Sequence, residues 1–353
     1  MIDNISRESI RAAREIYSVL GDEESKRIFL DKLLFSVTGE NKYWHDILNY
    51  RNEDVILRLH ELVNSGKKVI VYGAGTNCEP TIDICQNIGV DIYCICDKDE
   101  GKQGQLFCGK EVISPEQLVQ NHKDAVVIIS TIRYSKEAEE FLLKHFVREN
   151  VIDISGAKLK DLVDAQYFPE EDIFTFADGE VFVDGGCFDF ETSRFLMERC
   201  RVKHIYAFEP DKMNLEKVKE QIRTLGISNV TVFDKGLWNG AETLYFSSTG
   251  DIMSHVVDSG DDEDKIAVVA LDEVIQEEVT FIKMDIEGSE LKALEGAKNL
   301  IQTYKPKLAI CIYHKPEDTI DIPFYIKKLV PEYKLYIRHY SWSPAETVLY
   351  ATL

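Results

Sequence analysis

The sequence predicts an α/β protein. Its C-terminal part is a doubly wound, mostly parallel sheet ending in an antiparallel pair, preceded by a smaller α/β domain and a helical segment. Three observations predict it. Five short apolar runs, EVFVDGG, KHIYAFEP, NVTVFDKG, VTFIKMD and KLAICIYH, alternate with helical patterns between residues 180 and 314, and parallel strands buried on both faces read this way because helices cover each side. A second, shorter set of the same kind lies between Lys67 and Ile154. Glycines and acids gather where the runs stop, which is where an open α/β sheet binds its ligands.

Residues 1–65 carry helical spacing, with Ile10, Ile16, Leu20, Ile28, Leu33 and Leu34 among many charges. Val55, Ile56, Leu59, Leu62 and Val63 continue it until Ser65 and Gly66 stop the pattern. This segment is expected to pack on another domain or to contact a second copy of the chain, giving a homo-oligomer.

Residues 66–155 form the smaller domain, with strands VIVYG, DIYCICD, AVVIIST and NVIDIS and helices in EPTIDICQNIG and SKEAEEFLLKHF. Gly73 and Gly75 make a GAG turn after its first strand and Asp97 ends the second, which is half of a dinucleotide fingerprint. Cys78 stands where the third glycine would be. Two readings stay open: the glycines only let a strand turn into a helix, or they line a nucleotide or nucleotide-sugar pocket. The zone resembles the small Rossmann-like domains found ahead of sugar-modifying enzymes, with GKEVISPEQL before its third strand. Residues 156–178, charged and holding Phe168 and Pro169, read as a linker.

Residues 179–353 carry the five main strands, which right-handed crossovers wind into one sheet. YKLYIRHY and ETVLYAT close it as an antiparallel pair across the SWSPA turn. Between the third and fourth strands, AETLYFSSTGDIMSHVVDSGDDEDKIAVVALDEVI reads as irregular and is longer than a connection needs. Such insertions over a ligand crevice act as lids or substrate walls.

The motifs follow the strands. VFVDGGCFDFET brings Asp184 to the end of the first strand, followed by Gly185 and Gly186, and HIYAFEP ends the second in Glu209. A glycine turn after one strand and an acid after the next is how nucleotide-type ligands are held, with backbone close to the ligand and a carboxylate on the ribose diol. FIKMDIEGSELKALEG runs the fourth strand into Asp285, Glu287, Gly288 and Glu290. Carboxylates there must find a cation, a hydroxyl or a proton; alternatively Glu287 and Glu290 only decorate a first helical turn, where the helix dipole favours acids.

These segments resemble the FkbM-type S-adenosylmethionine-dependent methyltransferases. VFVDGGCFDFET matches the first motif of that family, YAFEPD the second, VFDKGLW the third and FIKMDIEGSELKALEGA the fourth. KLAICIYHKPEDTIDIPFYIKKLVPEYKLYIRHYS is similar to its fifth strand, following helix and terminal hairpin. The resemblance implies a class I methyltransferase fold and S-adenosylmethionine as cofactor, held by Asp184, Gly185, Gly186, Glu209, Asp234 and Asp285. It also implies O-methylation of a hydroxyl on a small molecule or glycan. One departure is Phe190, where the first motif of the family usually has a further glycine.

Methyl transfer needs an acceptor aligned with an already electrophilic methyl group and shielded from water, and a hydroxyl acceptor also needs a base. Asp285, Glu287 and His314, at the ends of the fourth and fifth strands, are expected to converge. His314 is favoured as base because imidazole titrates near neutrality; its alternative is a strand-end residue satisfied by a backbone carbonyl. Asp285 is expected to orient the cofactor or acceptor, and Glu287 to bind the acceptor hydroxyl. His255 is expected to face the acceptor, Lys283 to pair with a sheet-end acid and His339 to be structural. An oxygen-rich site suits magnesium, although nothing in the sequence demands a metal. Two other readings are a noncatalytic S-adenosylmethionine or nucleotide-sugar binding protein, spoiled for turnover by Phe190, and a NAD-dependent oxidoreductase using Gly73, Gly75 and Asp97.

Composition sets limits. A formal charge of −21 argues against nucleic acid, whose binding needs a basic surface. There is no run of eighteen apolar residues and the first residues are polar, so a soluble, cytoplasmic protein without membrane insertion is expected. Cys78, Cys85, Cys94, Cys96, Cys108, Cys187, Cys200 and Cys311 lie mostly in or beside apolar runs without a CxxC pair, as reduced buried thiols do rather than zinc ligands.

Overall fold

The computed structural model describes residues 7–40, 66–131, 134–154, 166–169, 172–247, 255–257, 265–340 and 345–353, with scattered residues between 42 and 61. Val55, Ile56, Leu62, Val63, most of the SWSPA turn and the first ten residues of the expected linker fall outside them. The chain forms two compact units, one of Met1–Val37, Asp164–Arg338 and Glu346–Leu353, the other of Thr38–Val163 and His339–Ala345.

The smaller unit is built on β1 (Val69–Tyr72), β2 (Ile92–Cys96), β3 (Leu106–Phe107), β4 (Lys110–Ile113), β5 (Val126–Ile129) and β6 (Val151–Asp153). Their order is β3-β4-β2-β1-β5-β6, parallel except for the β3–β4 hairpin. The hairpin is too short for a periodic pattern, so only four strands are legible in the sequence. Gly73, at φ 114°, takes the chain out of β1. Asp97 Oδ2 accepts from Ala74 N–H at 2.6 Å, and Lys102 lies 3.6 Å from that oxygen. The acid after the second strand thus bonds the turn of its own unit.

The larger unit is built on β7 (Glu180–Gly185), β8 (Val202–Phe208), β9 (Val230–Phe233), β10 (Gly236–Leu237), β11 (Glu242–Ser247), β12 (His255–Val257), β13 (Lys265–Val269), β14 (Phe281–Met284), β15 (Lys307–Cys311), β16 (Lys334–His339) and β17 (Thr347–Thr352). Its main sheet has the order β16-β17-β15-β14-β7-β8-β9, with β17 antiparallel to β15. The five expected strands are β7, β8, β9, β14 and β15, and the terminal pair is β16 and β17. The insertion differs from the expected irregular stretch: β10, β13, β11 and β12 form a second sheet. Alternation in ETLYFS and KIAVV supports pairing (Leu244 opposite Ile266), a period-two signal diluted by the polar residues between them. Its segments 248–254 and 258–264 lie outside the described residues.

Two features tie sequence ends to this unit. The helices Arg7–Val19 and Glu23–Thr38 belong to it: Leu20 bridges Leu335, and the buried Arg338 holds Asp22 at 2.7 Å. The later part of the expected linker is core. Phe174 meets Phe281 edge-on at 5.8 Å, Phe176 meets it at 5.3 Å, and Phe281 stacks on Phe182 at 4.7 Å. Each such buried ring contributes about 1.5–3 kcal/mol. All eight cysteines are free and six are buried; burial pushes Cys78 and Cys85 up to about 12, which keeps them unreactive thiols. No helix among the described residues is long and apolar enough to cross a membrane.

Candidate active site

β7 and β14 lie side by side, with Asp184 opposite Lys283 and Gly185 opposite Met284. From β7 the chain winds outward through β8 and β9, then crosses to β14 and β15 on the other side. The order reverses between β7 and β14, so the crevice beyond their carboxyl ends is the ligand position of such a sheet.

The turn after β7 is packed from beneath. Gly186 has φ 71°, and a Cβ there would lie 1.9 Å from the Asp285 carbonyl oxygen. The glycine is therefore required by the close approach of two strand ends. Asp184 is wholly buried; it accepts from Ser193 Oγ at 2.6 Å and stands 3.3 Å from Lys283 Nζ. Lys283 also donates to the Gly185 and Gly186 carbonyls at 3.1 and 2.6 Å. The expected pairing of Lys283 with a sheet-end acid is met, and the contacts of Asp184 are with protein. Phe190 is buried in the left-handed region at φ 71°, the conformation that suits a glycine.

Glu209, after β8, is buried beside the same turn. Its Oε2 accepts from Phe188 N–H at 3.0 Å and its Oε1 from Asp211 N–H at 2.9 Å. Burial pushes its carboxyl up to about 7, against the pull of those two backbone bonds. Asp234 follows β9 and is exposed. His255 begins β12 and His339 is buried at the end of β16.

Asp285, Glu287 and His314 are brought together. His314 Nε2 lies 3.4 Å from Asp285 Oδ1 and 3.4 Å from Glu287 Oε2, and its Nδ1 lies 3.0 Å from Glu290 Oε1. Burial alone would depress the imidazole, but Glu290, Asp285 and Glu287 outweigh it and raise it to about 9. The sequence expectation of a ring titrating near neutrality is thus displaced upward by carboxylates it could not count. Glu287 sits at φ 55°, a strained conformation for a residue with a side chain. Glu290 is wholly buried and accepts from Ile286 N–H at 2.9 Å, so of the two helix-start acids it is the one that caps the turn.

Asp285 is further held by residues that sequence reasoning missed. Tyr167 donates to its Oδ2 at 2.7 Å and Tyr313 to its Oδ1 at 3.2 Å. Burial would raise Asp285, but Lys283, His314 and Tyr167 keep it below the ordinary carboxylate range. Glu346, before β17, is half-buried near this cluster and pushed up to about 7, first by loss of solvent and then by Asp285. Tyr313 was legible as the neighbour of His314 in ICIYH. Tyr167 lies in a charged stretch and Glu346 beside a turn, neither with a periodic signal.

The C-terminal segment 178–338 matches the family described as Methyltransferase FkbM domain, and residues 65–152 match the family described as C2185-like, N-terminal. No curated protein matches the chain. Among solved structures, a methyltransferase FkbM from Methylobacillus flagellatus KT is 21% identical with a TM-score of 0.51, over 85% of this chain and 95% of that one. An rRNA methylase from Streptococcus thermophilus is 16% identical with a TM-score of 0.35, over 54% of this chain and 91% of that one. A Streptococcus mutans chain solved in complex with SAH is 14% identical with a TM-score of 0.35, over 55% of this chain and 95% of that one.

Proposed function

From the premise that residues 178–338 are a methyltransferase FkbM domain, S-adenosylmethionine-dependent as this family is, we propose that the chain methylates a hydroxyl oxygen of a small molecule or glycan. The observation that carries this reading is the gathering of Gly186, Glu209, Asp285 and His314 at the carboxyl ends of neighbouring strands, around the point where strand order reverses. Glu209 takes the ribose hydroxyls of the cofactor, with Asp184, Gly185 and Gly186 shaping the turn beneath it. Asp234 lies on the adenine side, and Asp285 orients the cofactor or acceptor. When bound, S-adenosylmethionine would supply a methyl group made electrophilic by its sulfonium and would leave as a neutral thioether once the C–O bond replaces the C–S bond, and the hydroxyl proton is received by the cluster of His314, Asp285 and Glu287.

A labelled-methyl assay against hydroxylated small molecules and glycans tests the reaction class. Label recovered in a base-stable ether is the expected result. Label confined to nitrogen or carbon, with none on oxygen, contradicts O-methylation.

A further inference from the structure

Asp285, Glu287 and His314 each bring one ligating atom within 4.8 Å of the others, yet the group does not close on itself by hydrogen bonding. His314 Nε2 stands 3.4 Å from one oxygen of each acid, long for a nitrogen–oxygen hydrogen bond. The His314 side chain is 9% exposed, and neither ring nitrogen has a hydrogen-bond partner among the described residues. Nδ1 faces Glu290 Oε1 at 3.0 Å, which leaves Nε2 as the ring nitrogen turned toward the two acids. A polar atom buried without a partner is costly, so Nε2 asks for a ligand between it and the acids.

The spacing fits one. Two ligand atoms at right angles around a cation at about 2.1–2.4 Å stand about 3.0–3.4 Å apart, which is the separation of Nε2 from either oxygen. The charge fits as well. Glu290 and Glu346 face the same cluster as Asp285 and Glu287, while Lys283 is paired with Asp184 and Lys315 donates to the Gly288 carbonyl.

We propose that Asp285, Glu287 and His314 hold a divalent transition-metal cation of the Mn2+ type through Oδ1, Oε2 and Nε2. The mixed nitrogen and oxygen set favours such an ion over Mg2+, which prefers oxygen alone. The outer contacts are those of a metal site: Glu290 backs the histidine and Tyr167 backs the far oxygen of Asp285. The inference rests on the methyl-transfer reading. Three protein ligands would leave positions for the acceptor oxygen, whose hydroxyl such a cation would acidify. Its proton would be received by Oε1 of Glu287, the oxygen not given to the cation, on the side where that residue is 31% exposed.

The test uses full-length protein freed of metal, titrated with MnCl2 and followed by the electron spin resonance of free Mn2+. Calorimetry with S-adenosylhomocysteine is run on the same sample. One Mn2+ is expected per chain, with a dissociation constant below about 100 µM and a loss of at least about tenfold in Glu287→Gln and in His314→Gln. The part-exposed Glu287 makes its variant the one least apt to unfold, and circular dichroism checks both. No uptake up to about 1 mM, or uptake untouched by both variants, overturns the site. Cofactor binding without Mn2+ uptake overturns the cation alone; Mn2+ uptake without cofactor binding supports the cation and contradicts the methyltransferase reading.

Discussion

Gly186 sits where a side chain has no room, with the Asp285 carbonyl 1.9 Å from the place a Cβ would take and a φ of 71° that a substituted residue strains to adopt. Gly186→Ala is therefore expected to cost at least about 3 kcal/mol in denaturant unfolding, where a change under about 1 kcal/mol would refute the close approach. Glu209 gives a pH signature. Its folded carboxyl titrates at about 7, above the ordinary value of about 4.3, so on its own it lowers stability as pH rises from the ordinary value through 7. In the free protein it carries a proton below that pH, and a carboxylate that must accept two ribose hydroxyls has to lose it. The dissociation constant for S-adenosylhomocysteine should rise by roughly tenfold per pH unit from about pH 7 down to 5, and calorimetry of Glu209→Gln should show weak binding without that slope. A wild-type affinity flat from pH 8 to 5 would remove the assignment. The glycines and Glu209 were legible because strand-end acids and turn glycines sit at fixed offsets from apolar runs. Of the partners of Asp184, Lys283 was legible as a cation near the end of a strand, and Ser193 was not, because it comes from a helix whose register only the fold supplies.

At the scale of elements, the segment before β7 and the second N-terminal helix carry more of the larger unit than their composition suggests. Tyr167 belongs to a stretch that reads as a linker, yet its hydroxyl is the 2.7 Å donor to the half-buried Asp285. Tyr167→Phe leaves that oxygen unpaired and should cost about 1.5–3 kcal/mol by chemical denaturation; an unchanged midpoint would mean the contact is idle. Lys32, in the helix Glu23–Thr38, is buried with its Nζ donating to Thr347 Oγ at 3.2 Å. Burial depresses it to about 8, with Asp318 opposing. The unfolded lysine binds its proton up to about pH 10.4, so the unfolded chain holds more protons between 8 and that value, and stability rises with pH across this window. Lys32→Met should flatten that rise and add about 1–3 kcal/mol at pH 7, which thermal unfolding at pH 7 and pH 10 measures; a slope that survives the substitution would assign it elsewhere. The apolar strands announced themselves by length and β-branched content. The second sheet of β10 to β13 did not, since its short strands are separated by acidic, glycine-bearing segments.

At the scale of the whole molecule, two α/β units each carry a glycine turn followed by an acid, and in both the acid accepts a backbone N–H of that turn. Asp97 also lies near Lys102, whereas Glu209 is buried, accepts a second backbone N–H from Asp211, and follows a strand next to the strand-order reversal. The sequence alone told the two apart by the third glycine that the smaller unit lacks, because residue spacing records where an acid falls, not which atoms it meets. The proposed cofactor site lies in the larger unit, and titration calorimetry of the full chain with S-adenosylhomocysteine tests that most directly. A single site is expected, lost in Glu209→Ala and kept in Asp97→Ala. Absence of binding up to about 1 mM, an affinity near the weak limit of specific recognition, or loss in Asp97→Ala with retention in Glu209→Ala, would contradict it.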